Sequence, residues 1–237
     1  MRSTIAGCSL AFGAFLLIDA PSAHATVITY GVPGSLTPGY SGATVITFDA
    51  LTLGPVNSYN FGDGTLTGDG AVVQGSVVNR YAAPVGDLSQ YFTVGYAAPV
   101  GSATFAFNEP LNYFGLYWGS IDAYNSIAFE LNGIVIASYT GDQLPAPIQA
   151  NGNQQSSLSS RYVNFFLGSE NYNEVVLSST NYAFESDNIA YADPPAPVPE
   201  PSSGLLFATV LLVGSVGWRL RATSQAAIRQ TKDKFRA

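Results

Sequence analysis

Cysteine and histidine are almost missing from this sequence: Cys8 and His24 stand alone among 237 residues. Both lie in the first 25 residues, which read as a secretory signal. Arg2 supplies the positive n-region, Ile5 to Ile18 an apolar h-region, and Ala23-His24-Ala25 a small-x-small cleavage site. Ile5-Ala6-Gly7-Cys8 looks like a lipoprotein box, but its apolar run follows the cysteine instead of preceding it, so lipidation at Cys8 is excluded. With the signal removed, the chain has no thiol and no imidazole. Disulfides, thiolate chemistry, Ser-His-Asp or Cys-His catalysis and His-ligated zinc or copper are all excluded. Carboxylates, hydroxyls, amides and phenols remain, with very few cations.

Positive charge is also scarce through the middle. Between Thr26 and Glu200 the only basic side chains are Arg80 and Arg161, against fourteen acidic ones, a formal charge of −12. Such a surface repels nucleic acid and anionic polymers and tolerates or recruits cations. A sustained helical period is missing too. Instead there are short β-branched and aromatic runs bounded by Gly, Asn and Ser: "ATVITFDAL", "SATFAFNEP" (stopped by Pro110), "RYVNFFLG", "NEVVLSS" and "YAFESDNIAY". In "NSIAFELNGIVIASYTG", two such runs flank Asn132-Gly133, the pair suited to a type I′ hairpin turn. This pattern predicts an all-β ectodomain over residues 26–192, a β-sandwich or jelly roll with one C-terminal transmembrane helix beyond it.

Three stretches offer binding chemistry, each with a plainer structural alternative. "FGDGTLTGDGAVVQGS" places Asp63 and Asp69 each before a Gly. Oxygen ligands on a tight loop suit calcium, yet Asp-Gly is also a turn signal by itself. Asp187-Asn188 in "FESDNIAY" can ligate calcium or pin a turn. No cofactor is required, with Ca2+ as the one candidate. "NYFGLYWGSIDAYNS" carries Tyr113, Tyr117 and Trp118, whose rings can stack on sugars, and Asp122, which can hydrogen-bond them. The alternative is a core strand with Phe114, Leu116 and Trp118 on one face. The polar run Gln149 to Arg161 reads as an exposed connector. A glycoside hydrolase needs two facing carboxyls, and nothing singles out a pair among so many acids. The expectation is a protein that is not an enzyme.

The tail has three parts. Residues 193–203 form a linker, with five prolines among the eight residues Pro194 to Pro201, an extended polyproline spacer. Gly204 to Trp218 is uncharged; as a helix its fifteen residues reach about 23 Å, lean against a hydrocarbon core of roughly 30 Å. Residues 219–237 are basic, with Arg219 and Arg221 at the membrane stop, which places this end in the cytoplasm.

Val198-Pro199-Glu200-Pro201, the short apolar stretch and the arginines resemble the PEP-CTERM sorting signal. The basic end is longer than that pattern, with sixteen residues after Arg221. The resemblance implies an exported precursor, tethered in the inner membrane and processed near Glu200 by an exosortase. Its destination is the cell surface or extracellular matrix of a Gram-negative-type bacterium that makes exopolysaccharide. Tyr113 to Gly133, Tyr162 to Phe166 and Phe184 to Tyr191 are similar to one group of exosortase-dependent surface proteins. The implied role is a surface or matrix protein associated with biofilm or exopolysaccharide, or a carbohydrate-binding module with structural calcium. Exosortase, the inner membrane and polysaccharide are the expected partners; nucleic acid is not.

Overall fold

Runs of β-branched and aromatic residues between turn formers become strands throughout. A computed structural model describes residues 26–194. Its strands are β1 (Val27–Tyr30), β2 (Thr44–Ile46), β3 (Gly54–Asn60), β4 (Gly64–Gln74), β5 (Gln90–Val94), β6 (Gly101–Leu111), β7 (Tyr113–Gly119), β8 (Asn125–Leu131), β9 (Ile134–Thr140), β10 (Arg161–Phe166), β11 (Tyr172–Ser179) and β12 (Phe184–Ala192). The sole helix among the described residues is a 3-10 turn at Gly141–Gln143. None there is long and apolar enough to cross a membrane. The signal segment, the Pro-Glu-Pro region, residues 204–218 and the basic tail lie outside the described residues.

The all-β expectation holds, but the two separate sheets expected of a sandwich do not. One twelve-stranded antiparallel sheet runs in the order β1-β10-β7-β12-β5-β4-β6-β11-β8-β9, with β2 on β12 and β3 on β4. It curls into a half-barrel because β4 serves both halves. Residues Gly64 to Gly68 pair with β6, and Gly70 to Gln74 pair with β5. Asp69 sits at the corner between them. Gly68 there has φ of +121°, and a Cβ on Gly70 would lie 2.0 Å from the Phe92 ring. Only glycine fits both demands. Of the two Asp-Gly pairs, therefore, Asp63 lies in the expected hairpin turn between β3 and β4, where Gly62 takes φ of +92° and Gly64 already begins β4, whereas Asp69-Gly70 bends a strand.

Curling brings the inner faces of the two halves together. Phe105 on β6 meets Phe114 on β7 at 6.3 Å between ring centroids, Phe129 on β8 meets Phe165 on β10 at 5.2 Å, and Tyr139 on β9 meets Phe165 at 5.5 Å. Trp118 stacks on Phe184 at 4.4 Å. Such ring pairs add about 0.5–1.5 kcal/mol each beyond the area they bury. The Asn132-Gly133 turn forms as expected, with φ of +53° and +76° joining β8 to β9.

Two other expectations are corrected. Pro110 does not stop its strand, since β6 runs on to Leu111. The ladder to β4 ends at Phe107, and the register with β11 breaks between Tyr172 and Glu174, so no ladder bond calls on a Pro110 N–H. Nor is Gln149 to Arg161 wholly exposed: Ser159, Ser160 and Arg161 are buried, and Ser159 Oγ donates to Gln149 O at 2.8 Å.

The outer face of β7, β10 and β12 is covered as well. Residues from the β1–β2 connection, Leu36, Tyr40 and Ala43, pack over Tyr113, Tyr117, Tyr162 and Ala190. Beside them Tyr81, Ala83 and Tyr96 pack over Ala71, Val73 and Tyr91. Long connections thus roof one side of the sheet, and the acids of β12 lie beneath that roof.

Candidate functional site

Alternation along β12 turns Phe184 inward to the core and Glu185 and Asp187 outward under the roof. Glu185 is 2% exposed. Ala82 N–H, from the β4–β5 connection, donates to its Oε1 at 2.9 Å, and Ser120 Oγ donates to its Oε2 at 2.7 Å. Burial pushes the carboxyl up from 4.5 to about 8, against the lowering effect of the bonds from Ser120 and Ala82. The charge of Asp122 adds to the rise. Glu185 therefore ties the connection to the sheet, with both oxygens engaged.

Above Glu185 opens a polar cavity of about 400 Å³. Asn79, Arg80 and Tyr81 come to it from the β4–β5 connection, Asn181 and Tyr182 from the β11–β12 connection, and Gln154 from the run before β10. The Arg80 guanidinium donates to Tyr96 O and lies 5.2 Å from the Tyr96 ring centroid and 5.9 Å from that of Tyr182. Tyr81 and Tyr96 stack at 6.1 Å with 28° between their planes. Phenol rings, three carboxamides and one fixed cation line a solvent-open groove. Such a set can stack on the C–H faces of a sugar and hydrogen-bond its hydroxyls.

The sugar-contacting residues expected from sequence do not form this groove. Tyr113, Tyr117 and Trp118 are each 0% exposed. Trp118 faces the main core, while Tyr113 and Tyr117 lie under the roof, where their hydroxyls donate to Asn164 Oδ1 and Val85 O. Both faces of β7 are buried, so no ring on it can meet a ligand. Asp122 is half-buried; burial raises its carboxyl's pKa, with the Tyr124 hydroxyl opposing. Tyr124 in turn donates to Tyr182 O, which places Asp122 and Tyr124 behind the groove's Tyr182 wall.

The four calcium candidates do not converge either. Asp63 Oδ2 accepts from Tyr191 at 2.9 Å near the β3–β4 turn, and Asp69 lines a shallow hollow with Gly95 and Tyr96. Asn188 takes φ of +47° and donates through Nδ2 to Leu36 O. Only Asp187 of the four is buried. Among the described residues no three His, Cys, Asp or Glu side chains are grouped to hold a metal.

Sequence reasoning missed Arg80, Tyr81, Asn181 and Tyr182. One signal was available: Arg80 is one of two cations in a strongly acidic region and adjoins a tyrosine. Nothing local brings the two connections together.

Residues 197–222 match the family model of the PEP-CTERM protein-sorting motif. The chain carries that motif. PEP-CTERM implies processing by an exosortase and sorting of an exported, membrane-anchored precursor to the cell surface. No curated protein matches the chain. A solved structure of the CBM32-1, CBM32-2 and M60 catalytic domains from Clostridium perfringens ZmpB aligns with 68% of this chain and 17% of its own, at 10% identity and a TM-score of 0.32. A likeness that slight carries no inference about fold or ligand.

Proposed function

We propose that this protein is a non-enzymatic surface or matrix protein, delivered by an exosortase and associated with exopolysaccharide or biofilm. The match of residues 197–222 to the PEP-CTERM motif carries the proposal. In this account the first 25 residues direct export, and Gly204 to Trp218 hold the precursor in the inner membrane with its basic end in the cytoplasm. Processing near Glu200 then frees the β-domain. The domain's acidity and its lack of Cys and His over residues 26–194 suit a binding or structural role outside the cell. Deleting residues 197–222 is expected to abolish surface display, read by protease accessibility on whole cells. Undiminished display of the deleted form would overturn the sorting role.

A carbohydrate-binding module is the second reading, favoured by the groove of Arg80, Tyr81 and Tyr182. Asn79, Gln154 and Asn181 would take the sugar hydroxyls, and the tyrosine rings its apolar faces. Glycoside hydrolysis fits less well. Its acid and its second carboxyl must both be free to face the scissile bond, whereas Glu185 has both oxygens engaged by Ala82 and Ser120. Affinity electrophoresis through gels containing the producer's exopolysaccharide tests binding. Equal mobility in loaded and empty gels would remove the module reading and leave the sorting one intact.

A further inference from the structure

We propose that Asp87 and Asp187 form a calcium site that fastens the β4–β5 connection onto β12. Asp187 stands where β12 loses register with β7, between Asp187 and Ala190. Asp87 folds over it from the connection. Both side chains are buried, 3% and 1% exposed. Ser89 bridges them: its hydroxyl bonds Asp87 Oδ1 and lies 3.5 Å from Asp187 Oδ2. Asp87 Oδ1 also accepts the Ser89 N–H at 2.9 Å. The remaining oxygens, Asp87 Oδ2 and Asp187 Oδ1, are buried and have no hydrogen-bond partner. The carboxamide oxygen of neighbouring Gln90 is buried without a partner as well.

Orphaned oxygens of this kind are what a missing positive charge leaves behind. No side chain among the described residues supplies it. Arg80 donates to Tyr96 O, and Arg161 to Gly31 O and Ser157 O. Asp49 deepens the deficit: it accepts the Gln90 N–H at 3.3 Å. Burial first, then the charges of Asp87 and Asp49 and the close approach of the Asp87 side chain, push the Asp187 carboxyl well above the usual carboxylate range. Every donor present is oxygen, which selects a hard cation. Calcium accepts the irregular, many-oxygen surroundings that two carboxylates, a hydroxyl and added waters provide; magnesium demands a tighter octahedron. With only two carboxylates in direct reach, affinity should fall in the weak range typical of extracellular modules, a Kd of about 10⁻⁴–10⁻³ M. The ligand set differs from the Asp63, Asp69 and Asn188 suggested by sequence, sharing only Asp187.

The test uses the full chain, held in mild detergent and stripped with chelator. Calcium chloride is titrated in while thermal unfolding is followed, with terbium luminescence sensitised by nearby tyrosines as a second measurement. A Tm that climbs by several degrees and saturates at millimolar calcium is expected, together with a terbium signal that calcium competes away. D87N and D187N should lose both responses, while D63N and D69N keep them. Because Asn removes a buried charge without changing shape, D87N and D187N should fold and be at least as stable as the calcium-free parent. No calcium response in the parent chain would show that the two carboxyls share a proton instead, and the proposal would fail. It fails equally if D87N and D187N respond like the parent, or if magnesium acts as strongly as calcium.

Discussion

Replacing Glu185 by Gln should flatten the pH dependence of stability, and the size of the change follows from the burial of one carboxyl. In the folded chain Glu185 titrates at about 8, against 4.5 when free. Below 4.5 both states hold the proton and the group costs nothing. As pH rises from 4.5 towards 8, the unfolded chain releases its proton while the folded chain keeps it, so stability falls. The slope is about 1.4 kcal/mol per pH unit for a single group. Between pH 5 and pH 8 the loss comes to about 3–4 kcal/mol. The carboxamide of the E185Q variant keeps the geometry: its oxygen can accept from Ala82 N–H and its NH2 can donate to Ser120 Oγ. Urea unfolding of parent and E185Q in chelator at pH 5, 6, 7 and 8 would measure the difference. The two should agree near pH 5, and the variant should become the more stable by pH 8. Asp187 contributes a slope common to both proteins, so it cancels in the comparison. Parallel pH profiles would refute the idea that Glu185 is held protonated by burial. An E185A variant should lie about 1–3 kcal/mol below E185Q at every pH, because the Ala82 N–H is left without an acceptor.

Other positions give sharp outcomes. G70A should cost at least about 2 kcal/mol of stability, read as a lower urea midpoint, since its methyl would sit 2.0 Å from the Phe92 ring; an unchanged midpoint would mean that the β4 corner can relax. R80A and Y81A should each weaken retention by exopolysaccharide roughly tenfold, the scale of one cation–π or stacking contact, with the circular dichroism of the parent; undiminished retention would place any glycan site elsewhere. By contrast W118F should leave retention unchanged and cost about 1–2 kcal/mol of stability, because Trp118 is fully buried and its Nε1 has no partner to lose.

Local signals in the sequence translated well into local structure. Asn132-Gly133 specified its hairpin because only a few residues accept two consecutive positive φ values, and both neighbours are strand-formers. The short β-branched and aromatic runs became β7, β10, β11 and β12, because such side chains suit a pleated, half-buried surface. What escaped was everything decided by distant contacts. The Asp69-Gly70 pair looks like a turn, yet it bends a strand because Phe92, more than twenty residues on, needs the space. β7 looks half-exposed by its alternation, but the β1–β2 and β4–β5 connections bury its second face. The same roof hides Tyr113 and Tyr117 and assembles Arg80, Tyr81 and Tyr182 into a groove from segments about a hundred residues apart. The meeting of Asp87 with Asp187 is of that kind too: each is an ordinary acid until the connection folds over β12.

The most direct measurement compares cells with and without an exosortase, both expressing the full chain with an epitope placed after Ala25. Intact mass and surface accessibility are read on the same preparation. In the presence of the enzyme, the account predicts a chain shortened at both ends, cut after Ala25 and near Glu200, with its epitope outside the cell. Without the enzyme, a longer form that keeps residues 201–237 should stay in the inner-membrane fraction. Identical mass and identical location in the two strains would contradict exosortase sorting outright.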